Sequence, residues 1–225
     1  QWYTVKGGSR QYVDRLENAL RANGVDLRTD CPVQAVRRTA QGVEVRVCGG
    51  EWEAFDEVIF ATHSDDTLAM LSDPTEAEKR ALGAIRYQPN DIVLHADASI
   101  MPKRRSTWAS WVYTEDREQK SDRIDLTYWM NSLQPIPQDD LHFVTLNTKR
   151  SIREDLIYDQ VTLRHPVYDL AALAAQDEVR AFNGSQNTWF CGAWMRHGFH
   201  EDGLASAVDV VERMQAARAA PLAAE

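Results

Sequence analysis

The stretch that decides the fold is Trp189–Met214, "WFCGAWMRHGFHEDGLASAVDVVERM". It runs from a short apolar strand through a glycine and a polar loop into a helix. The first N–H groups of a helix lack partners within the helix and carry roughly half a positive charge, so this order usually brings them to an anion or an electron-rich ring. The sequence therefore predicts a bound group at the start of this last helix.

Two short apolar runs indicate a parallel sheet. Val58–Phe60 is a continuous apolar run of the kind that is buried on both faces of such a sheet, and Trp189–Cys191 has the same character. The stretch between them alternates apolar and polar residues, which is typical of antiparallel strands. We therefore predict an α/β fold in which the chain leaves a parallel sheet, builds a second, α+β domain and returns to the parallel sheet. That second domain is expected to hold a mixed or antiparallel sheet with helices.

Several helices can be placed by their boundary signals. Apolar residues at helical spacing follow Ser9, and Asn23-Gly24 is a typical helix end. Thr75 and Glu78 have the spacing of a capping box, in which each side chain bonds the backbone N–H of the other residue. These signals predict a helix from Ser9 to about Asn23 and another that begins after Thr75.

Composition limits the classes of function. The chain has 225 residues and a net charge of −9, which argues against a nucleic-acid partner because such proteins present clustered Lys and Arg. No apolar run reaches the roughly 20 residues that span a bilayer, so no transmembrane segment is predicted. Cys31, Cys48 and Cys191 show neither pairing nor metal-ligand spacing, so we predict no metal site and a cytoplasmic protein.

Four stretches, taken together and in order, resemble the flavin-containing amine oxidase superfamily, which includes phytoene desaturases and protoporphyrinogen oxidases. Within it, the chain is most similar to a bacterial branch of predicted NAD/FAD-binding proteins. The resemblance covers nearly the whole chain and matches the C-terminal two-thirds of such a protein. The stretches are "WYTVKGGSRQYVDRL", "VIFATHSDDTLAML", "VLHADASIMPKRRSTWASW" with "LTYWMNSLQ", and "FCGAWMRHGFHEDGLASA".

The resemblance implies that the bound group is FAD. It implies that Gly192 and Ala193 lie beside the ribityl chain and phosphates, and that the last helix begins near Asp202-Gly203-Leu204 and faces the pyrimidine edge of the flavin. Reduction places negative charge on that edge, which a helix N-terminus would stabilise, and a glycine lets the backbone approach the ring. The alternative is an ordinary helix capped by Asp202, with Gly203 as a turn residue.

Three further cofactor contacts are implied by position. Val33 matches a strand whose backbone meets the adenine edge in relatives, and Ala61 and Thr62 match a small-residue turn that passes near the adenosine. The alternatives are an ordinary strand valine and small residues that packing alone requires. The resemblance thus implies that residues 1–64 are a partial FAD-binding domain with part of a Rossmann-like sheet, that 65–185 are an α+β substrate domain, and that 186–225 supply the return strand and helix of the FAD-binding domain.

Two departures from the family pattern matter. The sequence contains no G-x-G-x-x-G, so the first β-α-β unit, which normally holds the FAD diphosphate, is missing. We therefore expect a fragment of a longer protein that is inactive alone, retains no FAD, and self-associates through its orphaned surface. Many amine-oxidising relatives also carry a strand lysine, for which Asn90-Asp91 stands here, and this departure puts amine oxidation in doubt.

Aromatic side chains are the candidates for a substrate cavity. Trp108, Trp111, Tyr128 and Trp129 form the wall of a cavity for an apolar molecule, or alternatively pack as ordinary core residues. His200 precedes the flavin-facing helix and is a candidate donor to flavin O2 or to substrate, with a solvent-facing loop histidine as the alternative. No nucleophile elbow is present, and the catalytic residues are not assigned.

Two functions follow from these patterns. The first is a fragment of an FAD-dependent oxidoreductase that removes a hydride from a C–N or C–C unit of an apolar small molecule, with the flavin as acceptor. The second is a non-enzymatic β-rich module that binds an apolar ligand or a partner chain.

Overall fold

The computed structural model describes residues 3–115 and 123–219, which form two compact units. One, the five-strand unit, combines the chain up to residue 28 with residues 89–165. The other, the strand-pair unit, combines residues 29–88 with the chain from 166 onward. The predicted division at residues 64 and 185 concerns cofactor and substrate roles, and it stays a prediction.

The predicted mixture of α/β and α+β structure is confirmed. The helices are α1 (Ser9–Ala22), α2 (Ser64–Met70), α3 (Glu76–Ala84), α4 (Met130–Leu133), α5 (Leu170–Phe182) and α6 (His200–Ala219). The strands are β1 (Val33–Thr39), β2 (Gly42–Val47), β3 (Trp52–Phe55), β4 (Val58–Phe60), β5 (Arg86–His95), β6 (Trp111–Thr114), β7 (Asp125–Trp129), β8 (Phe143–Leu146), β9 (Ile157–Val167) and β10 (Thr188–Phe190). Among the described residues, every helix is too short or too polar to cross a bilayer.

The strand-pair unit is built on the parallel pairing of β4 with β10. Ile59 pairs with Trp189 and Phe60 with Phe190, and the two phenylalanine rings stack with centroids 5.8 Å apart. A separate antiparallel sheet, in the order β1-β2-β3, completes the strands of this unit. The buried core draws on both sheets, on α3 and α5, and on the residues that directly follow α2 and α3; it contains Phe60, Phe190, Val36, Leu71, Leu82, Ile85, Ala172, Ala175 and Val179.

The prediction that Val58–Phe60 is buried on both faces is wrong. Phe60 is 4% exposed, but Ile59, which points to the opposite face, is 43% exposed. On that opposite face, Val210 of α6 packs against Trp189 of β10 and leaves Ile59 open. The parallel pairing itself is confirmed. The apolar run therefore predicts the strand type correctly but the burial of one face incorrectly.

The five-strand unit contains one sheet in the order β6-β7-β8-β5-β9. The pairs β6–β7, β7–β8 and β8–β5 are antiparallel, which confirms the predicted sheet type. One face is a closed core that includes His95, Thr127, Phe143 and Thr145. The other face, which we call the open face, carries Asn90, Ile92, Leu94, Trp111, Tyr113, Leu126, Tyr128, Val144 and Leu146.

A buried ion pair ties several parts of the strand-pair unit together. The Arg38 guanidinium of β1 contacts the Glu78 carboxylate of α3, and the two side chains are 6% and 7% exposed. Arg38 also donates to Thr188 Oγ1 at the start of β10 (3.1 Å) and to the carbonyl of Asp73 (3.1 Å). Glu78 in turn accepts from the Thr75 N–H (2.8 Å) in the predicted capping box, which is confirmed.

Replacing Arg38 with Met should destabilise the chain by about 3–5 kcal/mol, because it leaves the Glu78 carboxylate buried without its partner. Arg37→Met is the matched control, since Arg37 pairs with Glu44 at the surface, where such pairs contribute roughly 0–1 kcal/mol. The free energy of unfolding is measured in urea for both variants. Equal, small losses would show that the pair does not organise this unit, and adding Glu78→Met to Arg38→Met should recover stability.

Candidate functional site

The carboxyl ends of β4 and β10 lie at the same edge of the strand pair. Because the strands are parallel and Phe60 pairs with Phe190, the residues that follow them emerge side by side. The Cys191 N–H continues the pairing with a hydrogen bond to the Phe60 carbonyl (2.9 Å). Ligands of open α/β sheets bind outside the carboxyl ends of the strands. This edge is therefore the candidate site.

The turn after β10 depends on Gly192. Its φ of 149° lies outside the range that side chains tolerate, and a Cβ there would come within 2.6 Å of Trp194 Nε1. That indole Nε1 donates to the carbonyl of Thr62 (3.0 Å), in the turn after β4. The two turns are therefore joined directly, and Gly192 leaves the room that the connecting indole needs.

The start of α6 packs on the same turn. Ser206 is 5% exposed, accepts from the Gly192 N–H (2.9 Å) and donates to the Gly203 carbonyl (2.7 Å). A Cβ on Gly203 would meet Ala193 atoms at 3.6–3.9 Å, which is ordinary van der Waals contact. Packing within this chain therefore does not require glycine at position 203, in contrast to position 192.

Helix α6 begins at His200, two residues before the predicted start at Asp202. The Asp202 carboxylate accepts from the N–H groups of Phe199 (3.0 Å) and His197 (3.3 Å), so it lies in the first turn and fixes the preceding loop. Glu201 adds a second acidic side chain to this turn. Both carboxylates offset the positive end of the helix dipole, and the Gly203 N–H donates to the Phe199 carbonyl (3.2 Å). The first N–H groups of a helix have no partner within it, so those of residues 200–202 are the candidate donors to an anionic ligand.

The structure brings most of the predicted cofactor residues to this edge. Ala61, Thr62, Gly192, Ala193 and Gly203 lie in the joined turns and the helix start, as described above. The other predicted residues are more scattered. Asp202 bonds the loop before α6, His200 is the exposed first residue of α6, and Leu204 on the same helix is 55% exposed. Val33 is the first residue of β1, pairs with Val47 and is 39% exposed. The cofactor roles of all these residues stay predictions.

Sequence reasoning missed two tyrosines beside this edge. Tyr168 Oη lies 3.4 Å from the Ala193 carbonyl, and burial, together with nearby Tyr87 and Asp202, raises the pKa of Tyr168 to about 12. The Tyr87 hydroxyl accepts from the Ser64 N–H (2.8 Å), and burial raises its pKa as well. Both hydroxyls are protonated at neutral pH, and each donates within the chain, Tyr168 to the Ala193 carbonyl and Tyr87 to Ser64 Oγ (3.2 Å). No local motif joins residues this far apart in the chain, so the sequence carried no signal for them.

The four aromatic candidates for the cavity wall lie on opposite faces of the five-stranded sheet. Trp111 and Tyr128 belong to the open face, where their rings meet edge to face at 6.1 Å. Trp129 lies on the closed face, and Trp108 packs edge to face against it at 5.3 Å. Trp111 is 51% exposed, whereas the other three side chains are half-buried, and the role of the four as a cavity wall stays a prediction.

Two other features near α5 and α2 carry charged groups. A cleft of about 370 Å³ lies among α5, α6 and β10, where Arg180 donates to the Met195 carbonyl (2.7 Å) and Arg213 to the Arg180 carbonyl (2.8 Å). These arginines fasten the loop and α6 to α5, which is a structural task. At the start of α2, potential ligand atoms of His63, Asp65 and Asp66 lie within 4.8 Å of one another, but exposed acidic groups commonly cluster without an ion.

We expect Gly192→Ala and Gly203→Ala to have different effects on stability. The first substitution forces a strained backbone and a clash with Trp194, which should cost about 1–3 kcal/mol. The second places alanine in a helix with room for its methyl group and should be neutral or stabilising by up to about 1 kcal/mol. Thermal and urea unfolding measure both. Similar losses in the two variants would contradict this description of the turn.

The comparisons with known proteins concern the family and the fold. Residues 1–96 match the family model described as "Flavin containing amine oxidoreductase", which confirms the resemblance predicted from the sequence. No curated protein matches the chain.

Solved structures with the same fold include three proteins of different activity. They are a CLA-producing fatty acid isomerase from P. acnes (TM-score 0.62, 13% identity, 89% of this chain and 51% of that one), a reduced UDP-galactopyranose mutase (TM-score 0.67, 11% identity, 96% and 53%) and a putrescine oxidase variant with redesigned cofactor binding (TM-score 0.57, 13% identity, 92% and 53%). The chain thus spans about half the length of these structures. Identities this low show a shared fold and leave the substrate open.

Proposed function

We propose that this chain, whose resemblance to flavin-containing amine oxidoreductases is confirmed over residues 1–96, is one portion of an FAD-dependent oxidoreductase. The observation that carries the proposal is the joining of three segments at one sheet edge. The Trp194–Thr62 bond links the turns after β4 and β10, and Ser206 links the start of α6 to the same place. Family and fold support an enzyme lineage that uses a flavin.

The residues at this edge fit the part of FAD that the resemblance implies. The Gly192-Ala193 backbone would lie beside the ribityl chain and phosphates, and the Gly203-Leu204 backbone would face the pyrimidine edge. Gly203 lies against Ala193, where a Cβ would meet Ala193 atoms at 3.6–3.9 Å, so it brings the start of α6 close to the turn after β10. When bound, the flavin supplies the hydride-accepting chemistry, while these backbone groups orient it. Ala61 would pass near the adenosine.

The proposed reaction is removal of a hydride from a C–N or C–C unit of an apolar small molecule. The position where many amine-oxidising relatives carry lysine corresponds here to Asn90-Asp91, of which Asn90 is 7% exposed and hydrogen-bonds His165 and Asn147. No lysine therefore stands at this position to hold a water molecule, which argues against an amine substrate. Three free thiols, on Cys31, Cys48 and Cys191, support a cytoplasmic location.

A second candidate function is a non-enzymatic module that binds an apolar ligand or a partner chain. The open face favours this function, because its exposed aromatic side chains offer an apolar binding surface that does not involve a flavin. Trp111 and Tyr113 there are 51% and 64% exposed. Flavin binding separates the two functions, since the second requires none.

The longer gene product that carries this chain should be yellow and show flavin absorption bands. The 225-residue chain alone should show no FAD uptake, because the β-α-β unit that meets the diphosphate is not in its sequence and several charge-assisted hydrogen bonds, each worth roughly 1.5–3 kcal/mol, are lost. Visible spectra and fluorescence titration with FAD measure both.

Light scattering on the same chain should report a mass above that of a monomer, because Ile59 and neighbouring apolar surface are open. A colourless longer protein that takes up no added FAD would contradict the oxidoreductase proposal and favour the binding module. Micromolar FAD binding by a monomer of the 225-residue chain would instead refute the fragment proposal.

A further inference from the structure

The open face of the five-stranded sheet is an apolar surface with one polar end. Its β6, β7 and β8 positions are aromatic or aliphatic, and Trp111 and Tyr113 are exposed. Asn90 is its polar residue on β5. Exposed apolar patches of this kind mark ligand or partner sites on soluble proteins.

Residues of β9 extend this face. Thr162 donates to the Asp91 carboxylate (2.9 Å), which places Thr162 on the same side of the sheet as Asp91, opposite Asn90. The alternate residues of β9, Leu163 and His165, therefore share the open face with Asn90. The direct contact between Asn90 Nδ2 and His165 Nδ1 (2.8 Å) agrees with this placement.

The hydrogen bonds that lead to His165 have a fixed direction. The Asp91 N–H can only donate, and it donates to Asn147 Oδ1 (3.0 Å), so the Asn147 amide nitrogen is the group that donates to Asn90 Oδ1 (2.8 Å). Asn90 Nδ2 then donates to His165 Nδ1, which must be an acceptor. This pattern selects the neutral tautomer of His165 that carries its hydrogen on Nε2.

The start of this chain of hydrogen bonds is held in an uncommon backbone conformation. Asn147 has a φ of 53°, in the left-handed region, and its own N–H donates to the Asp91 carbonyl (2.8 Å). Asparagine tolerates this region better than most residues, and a non-glycine residue held there is a recurrent feature of functional sites. The fold thus fixes Asn147, and through it Asn90 and the imidazole ring.

We propose that the open face binds an apolar molecule bearing a carboxylate or carbonyl oxygen, and that the His165 Nε2–H is the donor that holds this oxygen. His165 is exposed, and among the described residues its side chain bonds Asn90 through Nδ1, which leaves Nε2 to a ligand. The apolar strands bury the ligand's hydrocarbon part, while a neutral N–H selects an acceptor and gives nothing to an ammonium group. Asn90 and Asn147 are positioning residues. The inference rests on the proposed function, since it names the substrate class of the proposed enzyme.

The test is isothermal titration of the chain with decanoate and with decylammonium, both below their micelle concentrations. Wild-type chain should bind decanoate more tightly than decylammonium. His165→Ala should weaken decanoate binding by about 10-fold to 100-fold, as expected for one hydrogen bond to a charged group, and leave decylammonium unchanged. His165→Gln, which keeps an N–H donor, should recover part of the affinity. His197→Ala removes an exposed imidazole from the other unit and serves as the matched control.

A second variant tests the positioning residues without disturbing the fold. Asn147→Gly keeps a residue that accepts positive φ but removes the donor to Asn90. Nitrogen NMR of the imidazole should show the Nε2–H tautomer in the wild type and a mixture of tautomers in this variant, with decanoate binding weakened several-fold. A purely structural role for Asn147 would leave the tautomer unchanged.

Three results would overturn the inference: no decanoate binding by a folded wild-type chain, equal losses for decanoate and decylammonium in His165→Ala, or an unchanged decanoate affinity in that variant. Flavin is absent from all these titrations. Failure of the oxidoreductase proposal is therefore seen in the spectrum of the longer protein and is distinguishable from failure here.

Discussion

The parallel pairing of β4 with β10 is the contact on which the candidate site depends. These strands lie about 130 positions apart in the chain, and they are held in register by Phe60 and Phe190, whose rings stack within the core. The register matters because a parallel pair delivers the residues after each strand to one edge. A slip by one residue would turn Phe60 to the face of Ile59 and separate the turns that Trp194 joins. The core therefore determines the site.

At this edge, the side chains and the backbone have opposite effects on an anionic ligand. Glu201 and Asp202 place negative charge in the first turn of α6, where it satisfies the loop and stabilises the helix. The same charge opposes an anionic ligand, so the side chains of this turn are poor anion ligands and its backbone N–H groups are the useful donors. The two glycines of this edge differ: Gly192 is required because a Cβ would clash with the Trp194 indole, whereas a Cβ at Gly203 would meet Ala193 at ordinary contact distance.

Local chemistry was readable from the sequence, and long-range geometry was not. The Thr75–Glu78 capping box, the end of α1 at Asn23 and the parallel type of β4 all depend on residues within a few positions of one another, and all are confirmed. The exposure of Ile59 depends on what α6 covers. The separation of Trp111 and Trp129 depends on the register between β6 and β7. The contact between Tyr168 and Ala193 joins segments that no short sequence pattern links. The donor–acceptor direction of the hydrogen bonds that lead to His165 depends on residues of β5, of β9 and just after β8, which only the folded sheet brings together.

The most direct test of the central claim is hydrogen–deuterium exchange of the longer protein of which we propose this chain is a portion, with FAD added and with FAD removed. The claim is that the turns after β4 and β10 and the start of α6 meet the cofactor. FAD should slow exchange in the peptides that cover residues 60–64 and 191–205, because their backbone N–H groups would be bonded or shielded. Protection confined to the cleft beside Arg180 and Arg213, or no protection within this chain, would contradict the account.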